Sequence, residues 1–118
     1  MKRTIAATLA AGMLGVPLPK PIRLELAYLA DAGYAVAVKL RCDPPGGAHP
    51  TPARACRELA AVDGHPGRLR PARTMCPMIY APVTATVNGT WRGRTVHWSH
   101  RYGNSCEMTR ATGVLFRF

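Results

Sequence analysis

Apolar and polar residues alternate with a period of two in four stretches of this chain. From Arg23 to Leu29, Leu24, Leu26 and Tyr28 fall on one face and Arg23, Glu25 and Ala27 on the other. From Tyr34 to Arg41, Tyr34, Val36, Val38 and Leu40 oppose Ala35, Ala37, Lys39 and Arg41. From Val83 to Asn88, Val83, Ala85 and Val87 oppose Thr84, Thr86 and Asn88; from Arg94 to Tyr102, Val96, Trp98, His100 and Tyr102 oppose Thr95, His97, Ser99 and Arg101. Successive side chains of a strand point to opposite faces, so each stretch predicts a half-buried strand. Asp31-Ala32-Gly33 is a tight-turn signal that joins the first two into a hairpin. Asn88-Gly89-Thr90-Trp91-Arg92-Gly93 is expected to be the loop of a second hairpin. Gly113 to Phe118, ending in aromatics, is expected to be a short fifth strand.

One segment changes period. Thr51 offers an oxygen at a helix N-cap and Pro52 suits the first helical position. From Ala53 to Val62, Cys56, Leu59 and Ala60, followed by Asp63, share one side at helical spacing, while Arg54, Arg57 and Glu58 lie towards solvent. Asp63-Gly64 ends the helix. The pattern predicts an α+β fold: a five-stranded antiparallel sheet with one main helix on one face. The 11 Gly and 11 Pro imply short elements and many turns, and 118 residues allow one domain at most.

The chain opens on Met1-Lys2-Arg3, a basic start, followed from Thr4 to about Val16 by apolar and small residues. That is the form of a secretion signal, and the run is too short and alanine-rich to span a bilayer. Residues 1–19 are therefore expected to be a signal peptide and flexible N-terminus, with Ala10-Ala11-Gly12 as a small-residue cleavage site, and 20–118 a secreted, extracellular domain. No other stretch is apolar enough for a membrane span.

The formal net charge of +10 falls to +8 once Lys2 and Arg3 are set aside. The charge is scattered. Arg68-Leu69-Arg70 with Arg73 is the densest patch, and none of the two Trp, four Tyr and two Phe lies in it. A nucleic-acid binder concentrates charge on one element and interleaves aromatics, so the charge favours acidic partners without naming nucleic acid.

Cys42, Cys56, Cys76 and Cys106 have no Cys-x-x-Cys spacing. An even count in a small secreted chain predicts two disulfides rather than a metal site. Three pairings can be drawn. Cys42–Cys56 with Cys76–Cys106 is favoured, because the first closes a short Pro/Gly loop onto the helix. Enzyme signals are weak. Ser99 and Ser105 lie in no Gly-x-Ser-x-Gly turn. His97 and His100, three apart on a strand, point to opposite faces and make a poor metal pair. His49 and His65 sit in loops without carboxylate company.

Cys76-Pro77-Met78-Ile79-Tyr80-Ala81-Pro82 has two prolines that fix φ and push the preceding residues to extended geometry. A cysteine anchors one end, and Met78 and Ile79 have no evident core role. On composition alone it reads as a covered loop between strands; equally, a rigid extended segment offering a large apolar side chain is a shape that a serine protease cleft accepts.

From about Arg23 to Phe118 the chain resembles the Streptomyces-type subtilisin inhibitor family. The blocks that carry the resemblance are Cys42 before a Pro/Gly loop, the helix Ala55-Cys56-Arg57-Glu58-Leu59-Ala60-Ala61-Val62, Cys76-Pro77-Met78-Ile79-Tyr80, Thr86-Val87-Asn88-Gly89-Thr90-Trp91-Arg92-Gly93, Asn104-Ser105-Cys106-Glu107-Met108, and the segment from Val114 to Phe118. Six blocks in order, with all four cysteines placed, are specific.

The resemblance implies substrate-like inhibition of secreted serine proteases, with no catalytic residue, cofactor or metal. It makes Met78–Ile79 the presented bond, with Met78 in the protease's specificity pocket and Met75, Cys76, Pro77, Tyr80 and Ala81 as the surrounding loop contacts. A Met there suits the roomy apolar pockets of subtilisin-like and chymotrypsin-like enzymes. It implies that Cys76 pairs with Cys106 behind the loop, that Asn104 braces it, and that the protein is a homodimer through its sheet. Three features depart from the family: Ala81 where Asp is common, a shorter link between the first two strands, and the basic charge. Two other readings remain at this level: a secreted binding protein on the same scaffold without inhibition, and a small basic cell-surface or nucleic-acid binder.

Overall fold

The computed structural model describes residues 20–118. The expected signal peptide falls on residues 1–19, outside the described residues.

Four long strands build the sheet: β1 (Ile22–Ala30), β2 (Ala35–Cys42), β4 (Val83–Trp91) and β5 (Arg94–Tyr102), with a two-residue β3 (Gly46–Gly47) at one edge. The order is β3-β2-β1-β4-β5, and every neighbouring pair is antiparallel. Leu26 of β1 pairs with Val38 of β2 and Val87 of β4, and Val87 pairs with Trp98 of β5. This register stacks the apolar sets of all four long strands on one face. A one-residue slip would turn each set to solvent, so burial of that face fixes the pairing.

Helix α1 (Pro52–Ala61) packs on β2 and β3, and helix α2 (Ser105–Thr112) on β4 and β5. Both cover the apolar face. The core is one cluster of Ile22, Leu24, Leu26, Leu40, Ala55, Leu59, Val83, Ala85, Val87, Trp91, Val96, Met108, Val114, Leu115 and Phe116 with Cys42 and Cys56. The Cys42–Cys56 disulfide ties the end of β2 to α1, and Cys76–Cys106 ties the segment before β4 to α2. The opposite face, with Arg23, Lys39, Thr86 and His97, carries no helix among the described residues.

The fold class matches the sequence reading, with two corrections. The fifth strand is β3, not Gly113–Phe118. That last segment winds through turns after Gly113, with Leu115 N donating to Thr112 O and Arg117 N to Val114 O. Val114, Leu115 and Phe116 are all buried, which contiguous strand residues on a one-sided sheet cannot be. The second correction is α2, which the sequence reading left out. Its first turn carries a usable signal: Asn104-x-x-Glu107 is the spacing of a capping box, and the Asn104 side chain accepts from Glu107 N at 2.9 Å.

Smaller differences have equally local causes. β4 runs on through Trp91, and the second hairpin turns at Arg92 and Gly93, both with positive φ as a type I′ turn requires. On α1 the buried residues are Ala55, Cys56 and Leu59, while Ala60 and Asp63 face solvent. Thr51 precedes α1 without a side-chain cap bond. Its backbone N–H is taken instead by His49, which is 3% exposed. His49 Nδ1 accepts from Thr51 N at 3.0 Å, so the ring proton sits on Nε2, which donates to Val114 O (3.0 Å) and Leu115 O (3.1 Å). A histidine read as a loop residue thus pins the C-terminal turns to the start of α1. His97 and His100 do point to opposite faces: His97 meets Asn88, and His100 stacks between Trp98 and Tyr102.

Gly64 closes α1 with φ +72, and its N–H donates to Leu59 O at 2.8 Å. A Cβ there would lie 2.4 Å from the buried Trp91 ring, whereas at Gly33 (φ +108) it would meet nothing within 4 Å. Both positions carry the backbone strain of a positive φ, but only the first also clashes. Gly64→Ala is expected to cost about 3 kcal/mol or more, against about 1–2 kcal/mol for Gly33→Ala. Urea midpoints of the two variants, with disulfides intact, check this; equal losses would mean that the Trp91 contact yields freely.

Candidate functional site: a clamped extended loop

The segment leading into β4 is extended and lies on the outside of the molecule. Its position follows from the sheet. Val83 opens β4 opposite Tyr102, the last residue of β5. The chain entering β4 therefore runs beside the chain leaving β5, and that exit is the corner Gly103–Glu107 from which α2 starts.

The corner grips the loop at successive points. Gly103 O accepts from Ala81 N at 2.8 Å. Asn104 Nδ2 donates to Ile79 O at 2.8 Å and to Pro77 O at 3.2 Å. Cys106 is bonded to Cys76, with Cα atoms 5.7 Å apart. Further back, Ala72 N donates to Arg110 O of α2 at 2.8 Å. The inward backbone contacts thus fall on residues 77, 79 and 81, as the two-residue period of an extended chain requires.

The outward side chains follow from the same period. Met78 is fully exposed at 103% and Tyr80 at 81%, while Ile79 between them is 59% exposed; Met75 stands at 96%. Large apolar side chains so exposed, on a backbone held at several points, are a surface built for contact rather than a core that failed to close. Between Thr74 and Val83 there is no Asp, Glu, His, Lys or Arg, so the loop itself carries no charge. The nearest group with a displaced titration is Tyr102, whose phenol burial pushes above its ordinary value and so keeps neutral.

Asn104 has two jobs, and its two polar atoms divide them. Oδ1 caps α2 through Glu107 N, and Nδ2 holds the carbonyls on either side of Met78. Asn104 is 8% exposed, so its amide is largely shielded from bulk water. The structure brings Met75, Cys76, Pro77, Met78, Ile79, Tyr80, Ala81, Asn104 and Cys106 into this one site. Cys42 and Cys56 lie elsewhere, between β2 and α1. Sequence reasoning missed the Gly103 and Arg110 carbonyls, because a backbone acceptor leaves no mark in the residue type.

A disulfide-braced α+β domain presenting a clamped, uncharged loop has the architecture of a protein-type protease inhibitor, and comparisons with known proteins agree. The subtilisin inhibitor-like family model matches residues 22–104, and the chain belongs to that family. The family is one of protease inhibitors, not enzymes. The subtilisin inhibitor of Streptomyces albogriseolus is 44% identical over 126 residues, covering 96% of this chain and 88% of that protein. A protein of Streptomyces avermitilis is 56% identical over 77 residues, covering 65% of this chain; the chain spans about half the length (52%) of that relative. In the crystal structure of Streptomyces caespitosus sermetstatin in complex with Bacillus licheniformis subtilisin, the inhibitor has the same fold. Its TM-score is 0.72 at 31% identity, over 83% of this chain and 99% of that chain.

Asn104→Asp separates the two jobs. The carboxylate still caps α2 but cannot donate, and it sets a negative charge against the carbonyls of Pro77 and Ile79. With the cap kept, stability is expected to fall by about 1–3 kcal/mol, the cost of polar groups left unpaired at a mostly buried position. The order parameters of the Met78 and Ile79 amides are expected to drop from rigid to flexible values in 15N relaxation. A loop as stiff as the parent's would remove Asn104 from the clamp.

Proposed function

We propose that the mature chain inhibits subtilisin-like serine proteases by docking this loop in the substrate cleft, with Met78–Ile79 as the presented bond. The observation that carries the reading is the pairing of a fully exposed Met78 with immobilised carbonyls on both sides of it. A loop already in extended form loses little conformational entropy on docking. Protease–inhibitor interfaces are of ordinary size yet among the tightest known, which pre-organisation explains and area does not. After cleavage the new ends would stay tethered by Cys76–Cys106, Asn104 and Gly103, so that resealing competes with release.

The unbranched thioether of Met78 fills a deep apolar pocket, as in subtilisin-like and chymotrypsin-like enzymes. Met75, Cys76, Pro77, Tyr80 and Ala81 supply the flanking contacts. Ala81, where the resembled family commonly has Asp, leaves the leaving-group side uncharged. A secretion signal with the mature N-terminus within residues 1–19, and an extracellular inhibitor domain over 20–118, belong to the same reading. A homodimer through the helix-free sheet face belongs to the same reading; Ala27, Leu29, Ala35 and Ala37 line a shallow apolar groove there.

Titration of a subtilisin with the mature protein is expected to abolish activity at one loop per enzyme. Met78→Gly is expected to weaken binding by about 2–4 kcal/mol, as truncation of a central anchor does, and Met78→Lys to move inhibition towards trypsin-like enzymes. If both variants inhibit the subtilisin as the parent does, the presented bond is elsewhere. If the parent does not inhibit at all, a binding role without inhibition takes its place.

The double variant Cys76→Ser/Cys106→Ser is expected to inhibit at first and then be hydrolysed at Met78–Ile79. Residual enzyme activity over hours, with fragment masses taken in parallel, reads this out; persistent inhibition with no cut would show that the disulfide is dispensable for resistance.

A further inference from the structure

Between Asp63 and Glu107 the sequence contains no Asp or Glu, and this acid-free stretch includes the whole loop. The approach to the loop on its amino side carries Arg68, Arg70 and Arg73, all exposed. Two carboxylates flank the loop, and each is already matched. Glu107 pairs with Arg110, and Asp31, whose N–H meets Pro82 O at the far end of the loop, pairs with Arg101. The remaining ion pairs among the described residues are Arg54–Glu58 and Arg92–Asp43. Arg68, Arg70 and Arg73 enter none. The bond from Ala72 N to Arg110 O holds the backbone beside Arg73 against α2.

Their distance from the presented bond decides what they can do. A standard interface of about 800 Å² per partner extends roughly 16 Å from its centre. Arg73 stands five positions ahead of Met78 and at no more than about 3.6 Å per residue lies within about 18 Å of it, inside or at the rim of such a footprint. Arg70, three positions further back, is joined to Met78 by a chain that spans at most about 29 Å at full extension. Rim and near-rim charges act mainly on the rate of encounter and its salt dependence, and little on the lifetime of the complex.

We propose that this arginine approach selects, by electrostatic steering, serine proteases whose cleft is bordered by carboxylates on the side that receives residues ahead of the scissile bond. The inference rests on the inhibitory reading of the loop. It adds the kind of partner: Met78 decides which pocket is filled, and Arg70 and Arg73 decide which proteases arrive fast enough to be caught. Glu107 and Asp31 beside the loop are paired with Arg110 and Arg101, and Glu58, which lines one groove with Arg68 and Arg70, is bonded to Arg54.

The test is stopped-flow association of the mature protein with two forms of one subtilisin. One carries carboxylates along that side of its cleft; in the other they are changed to amides. Steering is typically worth about 10-fold or more in association rate at low salt. The parent is expected to associate at least about tenfold faster with the carboxylate form in dilute buffer, with the difference vanishing near 0.5 M salt as the charges are screened. Arg70→Glu/Arg73→Glu is expected to lose that advantage while its dissociation rate stays within about threefold of the parent's. Circular dichroism and one-to-one titration confirm that the variant is folded and competent. Equal rates for the two enzyme forms, or a charge-reversed variant as fast as the parent, overturns the inference and leaves the inhibitory reading intact. A parent that does not inhibit removes both. Binding of a DNA duplex that the variant loses, with protease association unchanged, assigns the arginines to a polyanion instead.

Discussion

The bonds from Asn104 Nδ2 to Pro77 O and Ile79 O are the interaction on which the site depends. They hold the peptide units around Met78 without occupying any outward-facing atom. An isolated segment of this composition would sample many extended conformers, at roughly 1–2 kcal/mol of backbone entropy per residue fixed. Here that ordering is completed during folding. It is supported by a side chain that is itself immobilised, because Asn104 Oδ1 caps α2. Helix start and loop clamp are one device.

The rest of the fold brings these two parts together. The register of β4 against β5 sets Val83 opposite Tyr102, so loop and corner meet at the same end of the sheet. That register is held by burial of Val83, Ala85, Val87 and Val96 beneath the helices. Cys76–Cys106 adds a covalent tie at the entry to the loop and Gly103 a backbone bond at its exit. Core packing thereby reaches the exposed Met78 through a short sequence of contacts, each with a definite residue.

The far side of the molecule is secured separately. His49 donates from Nε2 to Val114 O and Leu115 O, accepts from Thr51 N, and lies edge-on to Phe118. This buried ring satisfies backbone groups that would otherwise be stranded where the C-terminal turns cross the start of α1. With Cys42–Cys56 beside it, the region remote from the loop has its own staple. The two disulfides serve different ends, one closing the core and the other stiffening the exposed loop.

By itself the sequence determined the alternating strands, the first hairpin, α1, the fold class and the loop around Met78. These are local matters: period two and period 3.6 are read along the chain, and proline fixes φ wherever it stands. The residues of the site were legible largely through resemblance, although Asn104-x-x-Glu107 would have announced α2 on physical grounds. Only the tertiary structure decided the remainder. Gly113–Phe118 looked like a strand because its composition is apolar and aromatic; it turns because Val114, Leu115 and Phe116 are all drawn into the core, which the alternating side chains of a strand cannot be. His49 looked like a loop residue because its partners are carbonyls 65 and 66 positions away, and carbonyls are common to every residue. The same holds for Gly103 and Arg110, whose backbone oxygens hold the loop. Side-chain chemistry is written in the sequence, while the pairing of backbone groups across distant segments exists only once the chain has folded.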